Sequence, residues 1–137
     1  MIVIPMAGEG ARFKAAGYQT PKWDLQLGGS TVLTWVLRGF SDVFDREHFL
    51  MILRSGSSLK NRVSDICSEV GLKSFEIQEI SSHTRGQADT VAQGLRKSKC
   101  APEEPLTIFN ADTLRPGFRP GPRQSGSDGW IECFSAD

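Results

Sequence analysis

The sequence carries no excess charge of either sign: sixteen Lys and Arg offset sixteen Asp and Glu over 137 residues, and the isoelectric point is near 6.7. A neutral balance argues against a protein that holds nucleic acid through a general basic surface, and favours a small-molecule or protein partner. Long hydrophobic runs are missing as well. No window approaches the ~18 consecutive apolar residues that span a bilayer, and Met1-Ile2-Val3-Ile4-Pro5 has no basic stretch ahead of its short apolar run. Neither membrane insertion nor a secretory leader is expected, and the cytoplasm is the expected compartment. Cysteine is scarce. Cys67, Cys100 and Cys133 are odd in number and widely spaced, which fits reduced structural thiols and neither a disulfide framework nor a Cys-x-x-Cys metal site. What is present suffices for one core: 39% of residues are apolar and 23% charged, ordinary values for a globular domain. A mass of 15.1 kDa leaves little room for a second domain, so residues 1–137 are expected to form one.

Ile2 to Met6 is a short run rich in β-branched residues that stops at Ala7-Gly8-Glu9-Gly10-Ala11-Arg12, the pattern of a buried strand entering a functional loop. After Gly28-Gly29, Ser30 is placed to cap a helix. Val32, Leu33, Val36, Leu37 and Phe40 recur there at helical spacing, with Trp35 widening the buried face and an end near Gly39 to Asp42. Phe49 to Leu53 predicts a second strand, and Ser55-Gly56-Ser57-Ser58 a turn that also offers an N-cap. Leu59, Val63, Ile66, Cys67 and Val70 then mark a helix closed by Gly71. Phe75, Ile77 and Ile80 mark a third strand, Ala88, Val91, Ala92 and Leu95 a third helix, and Leu106 to Phe109 a fourth strand. Strands alternating with helices predict βαβ units and a three-layer α/β/α sandwich with a mostly parallel sheet. Residues 114–129, with three prolines, four glycines and three arginines, predict a long loop before a strand-like Trp130 to Phe134.

Ligands of open parallel sheets bind beyond the carboxyl ends of the strands. That directs attention to the Gly8 loop, Ser55 to Ser58, Ser82 to Gln87, and Asn110 to Thr113. Backbone N–H groups at Gly8-Glu9-Gly10 are suited to approach a polyphosphate, with Arg12 and Lys22 adding charge. Neither standard nucleotide fingerprint is met: Phe13 stands where the dinucleotide pattern requires Gly or Ala, and Phe13-Lys14-Ala15 stands where a P-loop requires Gly-Lys-Ser/Thr. No His is placed for catalysis. His83 lies in a polar loop and is expected at the surface, and His48 opens a strand with no partner in view. Arg115, Arg119 and Arg123 form a local basic run, either a lid on substrate phosphate or, as is more usual for Pro/Gly-rich loops, a solvated segment.

Three stretches together are specific. Pro5-Met6-Ala7-Gly8-Glu9-Gly10-Ala11-Arg12-Phe13 with Gly17-Tyr18 and Pro21-Lys22, then Gly86-Gln87-Ala88-Asp89-Thr90-Val91, then Phe109-Asn110-Ala111-Asp112-Thr113 resemble the sugar-phosphate nucleotidylyltransferases. Asp112-Thr113, Arg115-Pro116-Gly117-Phe118 and Asp128-Gly129-Trp130-Ile131-Glu132 are similar, within that family, to members serving capsule or lipopolysaccharide precursor synthesis. The chain departs from the family where Trp23-Asp24 replaces the more usual Pro-Leu after Pro21-Lys22. The resemblance implies a Rossmann-like fold and a reaction in which a phosphate monoester attacks the α-phosphorus of an NTP and releases pyrophosphate.

By the same resemblance, Arg12 holds the β- and γ-phosphates, Lys22 neutralises the α-phosphate, and Asp112 holds Mg²⁺. Ala7, Gly8, Glu9, Gly10, Gly86, Gln87 and Thr90 contact the nucleotide, through main chain as readily as side chain. Arg12, Lys14, Lys22 and Arg85 are expected to converge on one phosphate site. The attacking oxygen needs no general base, since the second pKa of a phosphate monoester is near ~6. Family members are usually considerably longer, which implies that these residues are an NTP-binding half, binding NTP weakly and turning over poorly alone. The alternatives are a non-catalytic nucleotide-binding or regulatory module of the same fold, and a structural or interaction domain using the Arg115 to Arg123 loop and the Trp130 strand to meet a partner. Self-association is compatible with all three, and neither the NTP base nor the acceptor phosphate is specified.

Overall fold

In a computed structural model, residues 1–56, 58–81, 83–119, 121 and 128–133 are described. The chain runs through β1 (Ile2–Pro5), α1 (Ala11–Ala15), a 3-10 turn at Lys22–Asp24, a hairpin of β2 (Gln26–Leu27) and β3 (Ser30–Thr31), and α2 (Val32–Arg38). A second 3-10 turn (Ser41–Val43), β4 (Phe49–Arg54), α3 (Leu59–Glu69), β5 (Phe75–Ile80), α4 (Gln87–Leu95) and β6 (Thr107–Ile108) follow. Four strands form one parallel sheet in the order β5-β4-β1-β6, with Val3 opposite both Leu50 and Ile108 and Met51 opposite Ile77. The inner strands β1 and β4 are almost unbroken apolar runs because both faces are covered. Ile2, Ile4, Phe49, Met51 and Leu53 pack on one side against α2 and α3, through Leu33, Val36, Leu37, Val63, Ile66 and Cys67. Val3, Leu50, Ile52 and Ile80 pack on the other with Val91 of α4. This is the expected three-layer sandwich.

Local details differ from the sequence pattern, each for a physical reason. Thr31, not Ser30, caps α2. The hairpin holds Ser30 in β3, so Thr31 is the last extended residue, and its Oγ1 accepts the backbone N–H of Thr34 at 3.1 Å. Trp35 does not widen the buried face. It is 38% exposed, because its indole N–H reaches back to donate to the Leu27 carbonyl at 2.7 Å, the polar handle deciding where the ring lies. Ser58 occupies the N-cap position of α3 without a side-chain cap bond, and Ser57 lies outside the described residues. The fourth strand pairs only at Thr107 and Ile108.

Trp130 to Cys133 form no strand: no neighbouring strand lies alongside among the described residues, and Ile131 is 88% exposed. Phe134 falls outside the described residues. Residues 114–119, 121, 128 and 129 lie in no helix or strand, and among them Phe118 is buried against Phe40 and Phe109. Arg115 pairs with Glu132 and Arg119 with Asp42 at 2.8 Å, while Arg123 lies outside the described residues. His48 has partners that the sequence did not reveal, Ser74 Oγ at 2.9 Å and Glu76 at 3.8 Å, because β4 and β5 start side by side.

Burial of Cys67 on the inner face of α3 pushes its thiol up to about 12, whereas Cys133 is exposed and Cys100 half-buried. A thiol reagent at neutral pH is expected to label Cys133 and Cys100 in the native protein and Cys67 only after unfolding. The raised folded value also sets a sign. Above the ordinary value of 9.0 the unfolded chain loses the proton first, so this contribution to stability is complete below pH 9 and is lost as pH rises toward about 12. Rapid native labelling of Cys67 would contradict the buried placement.

Candidate active site

The parallel strands all end at one edge of the sheet, and a cleft of about 470 Å³ opens over the ends of β1 and β4. From β1 the chain steps outward to β4 and β5, then returns to place β6 on the other side of β1. Such a reversal leaves a crevice between the strands on either side of it, which is where α/β sheets accept ligands. The floor is the Gly8 loop. Gly10, at φ +62°, adopts a left-handed conformation that an L side chain disfavours, and turns the chain into α1.

Phe13 and Tyr18, ring centroids 5.4 Å apart, make an apolar wall, and Lys22 Nζ stands 4.6 Å from the Phe13 ring centroid. Lys22 is presented by the 3-10 turn whose next residue, Trp23, is buried in the core and whose Asp24 bonds Arg62 of α3 at 3.0 Å. The Trp23-Asp24 departure thus acts as an anchor. Opposite Lys22, the turn after β6 brings Asp112 Oδ2 to 3.5 Å from its Nζ. Lys14 and Arg54 complete the basic lining.

Of the residues singled out in the sequence, Gly8, Glu9, Gly10, Lys22 and Asp112 line the cleft. Ala7 is buried in the layer beneath, so only its main chain faces the loop. Gly86, at φ 156° and ψ −171°, opens α4 in a backbone shape natural to glycine. Gln87 Nε2 donates to Asn110 Oδ1 at 2.7 Å, tying the start of α4 to the turn that carries Asp112. Thr90 is buried, its hydroxyl donating to the Gly86 carbonyl (3.1 Å) and lying in hydrogen-bond contact with Thr84 Oγ1 (2.9 Å), so it shapes the 84–90 turn from beneath.

Arg12 is not brought into the cleft. Phe13 and Lys14 face inward, and at 100° per residue Arg12 is turned off that face, exposed and with no ion pair or hydrogen bond to its guanidinium among the described residues. Arg85 is 93% exposed and pairs with Asp89 at 3.8 Å. The expected convergence of four cations is therefore realised by Lys14 and Lys22 alone, joined by Arg54, which the sequence analysis missed. Its signal was position: it is the first charged residue after the apolar run Phe49–Leu53 and the last residue of β4.

Glu9 lines the cleft with its carboxylate engaged by protein. Arg54 Nη1 donates to Oε1 at 2.8 Å and His83 Nδ1 lies 3.0 Å from the same oxygen. The Arg54 hydrogen bond, then the charge of His83, hold the Glu9 carboxyl below the usual carboxylate range. His83 is at the surface as expected, 82% exposed, but is not idle there.

No protein-family model and no curated protein matches the sequence. Among solved structures, the chain is similar to the nucleoside-diphosphate-sugar pyrophosphorylase from Vibrio cholerae RC9, with a TM-score of 0.82 and 39% identity over 88% of this chain and 51% of that one. It shares the fold of 4-diphosphocytidyl-2C-methyl-D-erythritol synthase from Anaerococcus prevotii DSM 20548 (TM-score 0.52, 19% identity, 80% of this chain and 42% of that one). The same holds for UDP-glucose pyrophosphorylase complexed with UDP-glucose (TM-score 0.54, 16% identity, 80% and 44%). The chain spans about half the length of these structures. Strand order, layers and cleft define a nucleotide-diphospho-sugar transferase fold. The 39% identity to the pyrophosphorylase supports placing the chain in the nucleotidyltransferase superfamily.

Proposed function

We propose that the cleft binds a nucleoside triphosphate and serves nucleotidyl transfer to a phosphate monoester, a sugar phosphate by preference. In this reaction an ionised monoester oxygen bonds to the α-phosphorus, the bond to the β-phosphate oxygen breaks, and pyrophosphate leaves. The observation that carries the reading is Lys22 facing Asp112 at 3.5 Å across the crevice beside the Gly8–Gly10 loop. The chemistry requires positive charge on the phosphoryl oxygens and in-line positioning, not a base. Lys22 supplies a point charge for the α-phosphate, and Lys14 adds a second cation. Arg12, exposed beside Phe13 and Lys14, is the group that swings inward to take the β- and γ-phosphates. Main-chain groups of Ala7, Gly8 and Gly86 receive the base, because Gln87 is already bonded to Asn110 and Thr90 is buried.

The donor set fits Mg²⁺. Asp112 is a half-exposed carboxylate in the cleft, and no group of three His, Cys, Asp or Glu gathers among the described residues. Mg²⁺ is ordinarily held by one or two carboxylates with water and substrate phosphates, not by an all-protein cage. When bound there it would offset the charge of the phosphates. The stretches around Asp112, Arg115 and Asp128 support a role in cell-surface polysaccharide precursor synthesis. No described helix is long and apolar enough to cross a membrane, and a cytoplasmic site is proposed because the NTP is drawn from there.

The test combines calorimetric titration of four NTPs with Mg²⁺ and a pyrophosphate-release screen over several phosphate monoesters. One NTP is expected to bind in a Mg²⁺-dependent way, and Asp112→Asn to weaken that affinity about tenfold with the metal present and little without it. No binding of any NTP at millimolar concentration would overturn the reading. Binding without pyrophosphate release from any acceptor would leave a nucleotide-binding module instead of an enzyme.

A further inference from the structure

Two of the three cations that line the cleft are paired with carboxylates. Lys22 faces Asp112, and Arg54 bonds Glu9. Arg54 ends β4, the neighbour of β1 on the side away from β6, so the two pairs flank the Gly8–Gly10 loop from opposite sides. A carboxylate between two glycines in a phosphate-receiving loop works against binding, because like charges repel. Its surroundings reverse the balance. Arg54, His83 and Lys14 all act on Glu9, so the cluster carries more positive charge than negative, and Lys14 and Arg54 both line the cleft.

We propose that Arg54 is a phosphate-binding residue of this site, held in place at the end of β4 by Glu9 until the terminal phosphates of a nucleoside triphosphate displace the carboxylate. The inference rests on the nucleotide-binding reading above and adds a subsite to it. The planar guanidinium fork suits paired phosphate oxygens, which Lys14 as a point charge does not. A polyphosphate offers several charged acceptors where Glu9 offers one carboxylate. Glu9 is half-exposed and flanked by Gly8 and Gly10, so its side chain can turn to solvent or stay with His83 when displaced. Glu9 thereby fixes the guanidinium before the ligand arrives and lowers the net affinity for it.

The two residues should respond in opposite directions. Calorimetric titration with inorganic tripolyphosphate, which carries no nucleoside, is run on the wild-type chain and on Arg54→Gln, Glu9→Gln and Lys22→Ala, with a nucleoside monophosphate as the comparison ligand. Arg54→Gln is expected to weaken tripolyphosphate binding about tenfold, the scale of one lost charge-assisted contact. Glu9→Gln is expected to strengthen it roughly threefold by removing the competing charge. Affinity for the monophosphate should change much less in either, because it carries no terminal phosphates. Thermal unfolding checks the fold, and Arg54→Lys, which keeps the charge without the fork, should give intermediate affinity. Unchanged binding by Arg54→Gln, or weaker binding by Glu9→Gln, would overturn the proposal. If Lys22→Ala loses binding while Arg54→Gln does not, the subsite falls and the nucleotide reading stands. If the wild-type chain binds neither tripolyphosphate nor any NTP, both fall.

Discussion

Phe40→Ala is expected to cost about 3–5 kcal/mol of folding stability. Phe40 is fully buried just beyond the end of α2 and makes edge-on contacts with three rings: Phe49 of β4 (5.7 Å between centroids), Phe109 after β6 (4.8 Å) and Phe118 of the 114–129 segment (5.1 Å). Truncation removes a full aromatic side chain and leaves a cavity that rigid neighbours fill only in part. Each ring pair adds about 0.5–1.5 kcal/mol beyond its buried area. With total stabilities typically about 5–15 kcal/mol, the variant should lie close to unfolding at room temperature. Urea denaturation monitored by circular dichroism measures the loss, and a value under about 1 kcal/mol would show that the ring cluster is not a structural centre. The effect should also reach the site. Phe109 lies three residues before Asp112, so loosening it frees the turn that sets the 3.5 Å approach to Lys22. Phe40→Leu, which retains most of the volume, should lose less.

Lys22→Ala is expected to lower turnover about 10²- to 10³-fold, the range found when one preorganised group stabilising transition-state charge is removed. Two effects act together. The α-phosphate loses its point charge, and Asp112 loses its counterion and so repels the phosphates. KM should rise much less than kcat falls, since Lys22 acts on the reacting α-phosphoryl group, whose charge redistributes only in the transition state. The fold should survive, because Trp23 and the Asp24–Arg62 bond anchor the turn independently of the lysine. Lys22→Arg should recover only part of the rate, as a planar fork replaces a compact ammonium beside the Phe13 ring. Steady-state pyrophosphate release decides it, and a loss below about fivefold would remove Lys22 from the machinery.

These two residues show how unevenly the molecule could be read in advance. Phe40 was visible as the last residue of a helical apolar face, because periodicity reports which residues turn inward. Its partners were not, since Phe118 sits alone in a segment of prolines, glycines and arginines with no period to place it. Lys22 stood out through its surrounding string, whereas Arg54 had only its position at a strand end. Arg12 stood in the same string as Lys22, yet the short α1 turns it away from the cleft. Trp35 had the spacing of a buried residue, but a hydrogen bond to the Leu27 carbonyl, closed by the hairpin, holds it near the surface.

By itself the sequence determined the alternation of strands and helices, the parallel three-layer sandwich, the loops that gather at the strand ends, and its resemblance to nucleotidylyltransferases. These follow from local hydrophobic period and from strings of adjacent residues, which a linear chain displays openly. Only the tertiary structure decided which charges meet. Lys22 reaches Asp112 across ninety residues of chain and Glu9 reaches Arg54 across forty-five, and those contacts depend on strand order and on the return of β6 to the far side of β1. Net charge was zero from the outset. The fold is what sets two pairs of those opposite charges, Lys22 with Asp112 and Arg54 with Glu9, around one cleft.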